Sequence, residues 1–179
     1  MTNAPEPASA DPAEGELPRT RGDLSHVRAD GTAHMVDVTA KQVTSREATA
    51  RAVLVTRADV VERIASGDLP KGEALATARL AGIMGAKRTS ELIPLCHPLP
   101  LTGIEVDLAP RGERVEITAT VHTKGVTGVE MEALTAASTA ALTLYDMIKA
   151  VDHLAVIEQV RVLAKSGGKS GDWRREEQR

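Results

Sequence analysis

Apolar and polar positions change their period several times along the chain, and each change marks an element. In residues 102–108, Ile104, Val106 and Leu108 alternate with Glu105 and Asp107; in 114–123, Val115, Ile117, Ala119 and Val121 alternate with polar neighbours. A period of two predicts strands with one buried face. Pro110-Arg111-Gly112-Glu113 between them has the composition of a hairpin turn. Residues 48–56 (ATARAVLVT) are rich in β-branched side chains and predict a first strand; 155–165, with Val160, Val162 and Ala164 in phase, predicts a last one.

Between the strands the period lengthens. Thr56-Arg57-Ala58-Asp59 carries the Thr-x-x-acid spacing of a capping signal and predicts a helix that stops at Gly67. Asp68-Leu69-Pro70-Lys71-Gly72 is then a turn with Lys71 at its tip. A second helix is predicted over residues 73–92, where Ala78, Gly82, Gly85 and Ala86 recur at a spacing that permits close packing, and Pro94 ends it. The longest periodic segment is 124–152, KGVTGVEMEALTAASTAALTLYDMIKAVD. On a wheel of about 100° per residue, Ala133, Ala137, Ala140, Ala141, Leu144, Ile148 and Val151 form one broad apolar face. Glu132, Thr135, Thr139, Thr143, Asp146 and Lys149 form a narrow polar strip, and the alanines let the axis approach a sheet.

The order strand, helix, helix, strand, strand, helix, strand predicts an α+β fold. The economical arrangement is a ferredoxin-like sandwich: a four-stranded, mainly antiparallel sheet with helices packed on one face, plus one added helix. With 179 residues, 42% of them hydrophobic, a single catalytic domain is expected over 24–171. Residues 1–23, proline-bearing and poor in large apolar side chains, are expected to be a disordered tail, and 172–179 a charged one. The 31–41 segment, with Met35-Val36-Asp37-Val38 and then Lys41, reads as an edge strand or a mobile flap, and periodicity leaves both open.

Composition then narrows the function. Phe is absent, Tyr145 and Trp173 are the only aromatics, and the net charge is −3, so neither base stacking nor a long-range field favours nucleic acid. A single cysteine, Cys96, excludes an intramolecular disulfide, and no stretch approaches the roughly 20 apolar residues that span a bilayer. The opening residues lack the basic-then-apolar pattern of a signal peptide. A cytoplasmic protein with neither membrane nor nucleic-acid partner is expected.

The polar strip carries the candidate chemistry. Asp146 and Lys149 are neighbours on one helix face, ordinarily a weak ion pair. Here the opposite face is buried, a setting in which a lysine loses solvent and turns into a usable acid or base. Glu130 and Glu132 open the same helix. Glu132 and Asp146 share a face but lie roughly 21 Å apart along the axis at 1.5 Å per residue, too far for one acid-base pair. Either one elongated ligand spans the helix, or each end serves a different site completed by another subunit; the second reading is favoured. Cys96-His97 sits in a stiff Pro94–Pro98 loop, but with no second cluster it lacks the spacing of a structural zinc site, and no metal ligands are assigned. Ser166-Gly167-Gly168-Lys169-Ser170 is not a Walker A loop, because Leu163 stands where that motif needs glycine; Lys169 with backbone amides in a tight turn suits an anion. Lys71, Lys87, Arg88, His97, Lys124, Lys149, Lys165 and Lys169 all fall at element ends or in loops and together suit a polyphosphate.

Longer strings go beyond composition: MVDV at 35–38, ARLAGIMGAKRTSELIPLCHPL at 78–99, KGVTGVEMEALTAASTAALTLYDMIKA at 124–150 and KSGGKSG at 165–171. Over 24–171 the chain closely resembles the cyclic pyranopterin monophosphate synthase family (molybdenum cofactor biosynthesis protein C). The resemblance implies a lyase that rearranges 3',8-cyclo-7,8-dihydroguanosine 5'-triphosphate to cyclic pyranopterin monophosphate and releases pyrophosphate. It implies a homohexamer, a trimer of dimers with sites at the dimer interface. It implies an active-site Asp146 with Lys149 beside it, a substrate-binding Leu95-Cys96-His97 segment and Met131-Glu132 pair, and site-lining Arg46, Lys71 and Lys165. No cofactor is called for, and Mg²⁺ is left open. The chain departs from the family pattern at Ile148, where many members have Cys, and at Gly85, where Ala is frequent. A lysine of lowered pKa near Asp146 would move the protons of ring opening and closing, with Lys71 a second catalytic candidate. His97, Arg46 and the lysines would carry the leaving pyrophosphate. The alternative is a non-enzymatic ferredoxin-like module that binds an anionic metabolite at a subunit interface.

Overall fold

The computed structural model describes residues 30–176. The disordered tail expected over 1–23 lies outside them, as do 24–29 and 177–179. Residues 30–34 hold a local turn in which the Thr32 amide and hydroxyl donate to Asp30 Oδ1 at 2.9 and 2.7 Å. From Met35 onward the chain forms a separate unit.

Its elements are β1 (Thr44–Val55), α1 (Ala58–Ser66), α2 (Ala74–Lys87), α3 (Thr89–Leu92), β2 (Leu101–Arg111), β3 (Arg114–Gly125), α4 (Glu130–Ile148), β4 (Val156–Ser166) and β5 (Trp173–Arg174). The sheet is antiparallel throughout, in the order β2-β3-β1-β4-β5. Without β5 the strands follow the expected ferredoxin-like order, α1 and α2 are the two helices expected before β2, and the one-turn α3 comes in addition to them.

Three expectations are corrected. The sheet has five strands, not four, because the start of the charged tail pairs with β4: Trp173 lies opposite Lys165 and Arg174 opposite Ala164. Arg175 fastens it, its amide donating to Leu163 O at 2.7 Å and Nε to Val162 O at 2.9 Å, with its guanidinium over the Trp173 ring. A two-residue strand is too short to show a period. The helix expected over 73–92 breaks at Arg88 (φ −109°, ψ 11°), and α3 is a separate turn. There the buried Thr89 hydroxyl donates to Ala86 O at 3.0 Å, the kind of local bond with which threonine competes for helix carbonyls. The capping signal at Thr56 is not used: the N-cap of α1 is Arg57, without a side-chain cap bond, and Asp59 pairs with Arg57 at 2.9 Å. Residues 35–43 form neither helix nor strand but a loop, with Thr39 donating to Asp37 Oδ1 at 2.9 Å and the Lys41 amide to Val38 O at 2.9 Å.

The core lies between the helices and one face of the sheet. Ala48, Ala50, Ala52 and Leu54 of β1 and Val115, Ile117, Ala119 and Val121 of β3 are completely or almost completely buried there. So are Ala133, Ala137, Ala140, Ala141, Leu144 and Ile148 of α4, six of the seven residues read from the wheel; Val151, the seventh, lies beyond the helix and is only half-buried, and Ala136, which the wheel did not name, is buried with them. Part of the polar strip is covered as well, because α2 packs along it. A Cβ at Gly82 would stand 3.0 Å from Ala136 O, and one at Gly85 only 2.9 Å from the Thr139 Cβ. Here an alanine at 85 would force Thr139 aside. Ile148 is fully buried and does not reach the site.

The buried Thr56 hydroxyl instead donates to Asp152 Oδ2 at 2.6 Å, while Oδ1 accepts from the Leu154 amide at 3.0 Å. This bond joins the end of β1 to the exit of α4. It also leads the causes that hold the Asp152 carboxyl below its ordinary range. A depressed carboxylate pKa contributes stability above the unfolded value and loses it as pH falls through the folded one. Thr56→Val is therefore expected to cost about 1–3 kcal/mol at neutral pH. In urea melts against pH, the gap to the parent should shrink on the acid side.

Candidate active site

The structure brings the sequence-predicted residues together in three groups, one at the C-terminal end of α4 and two at its N-terminal end. At the C-terminal end the 68–72 turn carries Lys71 to Asp146. Its Nζ donates to Asp146 Oδ2 at 2.6 Å and to Asp146 O at 2.9 Å, while Lys149 Nζ stands 2.8 Å from Oδ1. Hydrogen bonds from Lys149 and then Lys71 depress the Asp146 carboxyl to about 2. The same contact raises Lys149. The expected lysine of lowered pKa is thus corrected: in the protomer Lys149 is an ammonium held to a carboxylate, which disfavours its losing a proton. All three groups are about half exposed, so solvent screens their mutual attraction.

At the N-terminal end lies a cleft of about 910 Å³ walled by the 40–44 segment, Arg46 of β1, Val126 to Gly128, Glu130 and the glycine turn 165–170. Arg46 Nε donates to Gly125 O at 3.1 Å and Nη2 to Val126 O at 3.2 Å, which fixes the guanidinium beside α4. Lys165 Nζ lies 3.0 Å from Glu130 Oε1 and 3.3 Å from Ser170 Oγ. The turn holds Gly167 at φ 82°, and a Cβ there would run into Ser45 O, so only glycine lets the turn close down on β1. Lys169 also lines the cleft.

The third group surrounds Glu132, only 4% exposed. Burial raises its carboxyl, and the Glu130 charge adds to the rise. Among the described side chains none pairs with it. Half-buried Cys96 lies within reach of its field: burial first, then Glu132, raises the thiol. His97 Nε2 is 2.9 Å from Val36 O, and since a carbonyl only accepts, Nε2 carries the proton. Leu95 is half-buried and Met131 is 37% exposed. Among the described residues, no three His, Cys, Asp or Glu side chains gather to hold a metal, and no helix is long and apolar enough to cross a membrane.

Asp146, Lys149 and Lys71 are therefore joined, and so are Arg46, Glu130, Lys165 and Lys169, but no residue of the first group lines the cleft of the second. Sequence reasoning missed Lys41, Thr127 and Gly128 in the cleft wall. The one signal for Lys41 was its place at the end of the 31–41 segment.

An α+β sandwich with a Lys-Asp-Lys cluster at one end of its central helix and a cation-lined cleft at the other has the build of an enzyme for a small phosphorylated substrate. The chain belongs to the MoaC family, whose model matches residues 35–168. It is 68% identical over 151 residues to the cyclic pyranopterin monophosphate synthase of Corynebacterium efficiens, a match covering 84% of this chain and 97% of the relative. It is 60% identical over 163 residues to cyclic pyranopterin monophosphate synthase 2 of Mycobacterium tuberculosis, covering 91% and 98%. To the cyclic pyranopterin monophosphate synthase of Streptomyces coelicolor it is 58% identical over 161 residues, covering 90% and 94%.

A carboxylate raised by burial destabilises the fold as pH climbs from the unfolded toward the folded pKa and beyond, where it must ionise with no cationic partner among the described residues, helped only by its own backbone amide. Glu132→Gln removes that cost. The variant is expected to melt above the parent at pH 8 and to converge on it near pH 4, as differential scanning fluorimetry across that range will show.

Proposed function

We propose that the chain is a lyase of molybdenum cofactor biosynthesis that converts 3',8-cyclo-7,8-dihydroguanosine 5'-triphosphate into cyclic pyranopterin monophosphate and pyrophosphate. Kinship to enzymes bearing that name supports the overall reaction. The observation that carries the chemistry is the convergence of Lys71 and Lys149 on Asp146.

In this reading the carboxylate holds two ammonium groups in place, and Lys149, once substrate draws it away from Asp146, supplies a proton to the guanine-derived ring system as it opens and closes. Lys71 is the second proton carrier. In the phosphate step a substrate hydroxyl oxygen bonds to the α-phosphorus and its proton leaves to a base. The bond from the α-phosphorus to the bridging oxygen breaks, and the electron pair stays on the departing pyrophosphate. Arg46, Lys165, Lys169 and His97 supply positive charge for that group. Glu130, Glu132, Met131, Cys96 and Leu95 shape the remainder of the pocket. No resident metal is required; a divalent ion, where used, travels on the triphosphate.

The two ends of α4 belong to one reaction only if two protomers share a site. We therefore assign a homohexamer built as a trimer of dimers, in which the Lys-Asp-Lys cluster of one protomer faces the cleft of its neighbour across the dimer interface. The protein works in the cytoplasm, where its nucleotide-derived substrate is found.

Lys149→Ala and Lys71→Ala are each expected to abolish turnover while the oligomer, sized by light scattering, stays intact. The assay supplies the cyclised dihydroguanosine triphosphate and follows pyrophosphate and the fluorescence of the oxidised pterin product. Near-normal rates in either variant would remove that lysine from the mechanism. Binding without products in the parent would favour a metabolite-binding regulatory module.

A further inference from the structure

Four cationic side chains line the cleft at the N-terminal end of α4, but they are not equally available. Lys165 is paired with Glu130 at 3.0 Å, and Arg46 spends its guanidinium on the carbonyls of Gly125 and Val126. Glu47, the other carboxylate in the wall, faces His122 at 3.4 Å. That leaves Lys41 and Lys169, whose ammonium groups make neither ion pair nor hydrogen bond with any described residue. One stands on the loop before β1 and the other on the glycine turn after β4, and both line the cleft.

The loop that carries Lys41 is built rather than loose. His97 donates to Val36 O at 2.9 Å, the Thr39 hydroxyl donates to Asp37 Oδ1 at 2.6 Å, and the Lys41 amide closes a turn on Val38 O at 2.9 Å. Lys41 thus extends from a segment anchored on a histidine already assigned to the site.

We infer that Lys41 is a further substrate-binding residue, closing with Lys169 as a two-lysine clamp on the terminal phosphates of the substrate. The inference rests on the function proposed above and adds a residue to it. A pyrophosphoryl group gains negative charge as its bond to the α-phosphorus breaks. Two uncommitted ammonium groups match that charge without giving up an existing partner. The paired Lys165 and Arg46 instead keep the walls in register.

The test uses the intact oligomer and inorganic tripolyphosphate as the probe, titrated calorimetrically at two salt concentrations. Lys41→Met is expected to weaken tripolyphosphate by about tenfold or more and to flatten the salt dependence, with Lys41→Arg recovering most of the affinity. With the cyclised dihydroguanosine triphosphate, the Lys41→Met loss should appear chiefly in KM, with pyrophosphate inhibition weakened in parallel. Arg111→Met, at the exposed β2–β3 hairpin, makes the same change in net charge away from the cleft and should leave tripolyphosphate affinity unchanged. Tripolyphosphate affinity of Lys41→Met within twofold of the parent, or an equal loss in Arg111→Met, overturns the assignment. If the parent binds tripolyphosphate through Lys41 but yields no pterin product, the proposed reaction falls while the anion clamp stands.

Discussion

Everything in this structure depends on how closely α4 is seated. The helix packs on the sheet with one side and on α2 with another, and the chain has no phenylalanine to fill a wide gap. Alanines at 133, 136, 137, 140 and 141 bring its axis down onto β1 and β3, while Gly82 and Gly85 let α2 lie against its threonines. A core made of small side chains gains its dispersion energy only when backbones approach closely. The seating therefore leaves no room for a side chain at 82 or 85 unless a neighbour moves, and both ends of the helix become fixed points.

The two ends use that rigidity in opposite electrostatic ways. At the C-terminal end, charges are satisfied by one another in the open, with one carboxylate depressed and one lysine raised. At the N-terminal end, a carboxylate is withdrawn from solvent with no cationic partner among the described residues, and its neighbouring thiol is raised too. The first arrangement fixes three charged groups in one place. The second is unfavourable in the protomer alone and is relieved by whatever brings a donor to Glu132. Stability given up at such a position is a common mark of a site organised for something other than folding.

The fold was largely legible because its strands and helices have clean periods, and most of the buried face of α4 followed from a wheel, which missed Ala136 and Met147 and set Glu132 on the polar strip. What escaped was set by contacts distant in sequence or by segments too short to have a period. Thr56 looked like a helix cap because its local spacing fits one, yet its partner is Asp152, 96 residues away. The break at Arg88 follows from Thr89 turning back on the helix, and β5 exists only because β4 offers an edge. At the site, residue types pointed to Asp146, Lys149, the glycine turn and a set of cations at element ends that included Lys71 and His97, and resemblance added Arg46, Leu95 and Met131. Lys41 stayed hidden because a loop has no repeat to read, and its position is decided by His97 far along the chain.

The short fifth strand has a practical meaning beyond closing the sheet edge. The chain contains a single tryptophan, and β5 sets it opposite Lys165, the residue that opens the glycine turn of the cleft. Its ring is 42% exposed and lies 5.4 Å beneath the Arg175 guanidinium, so its emission responds to small changes in local charge and solvent. The molecule thereby carries its own optical gauge of cleft occupancy, one strand away from where an anion would settle and free of any competing indole signal.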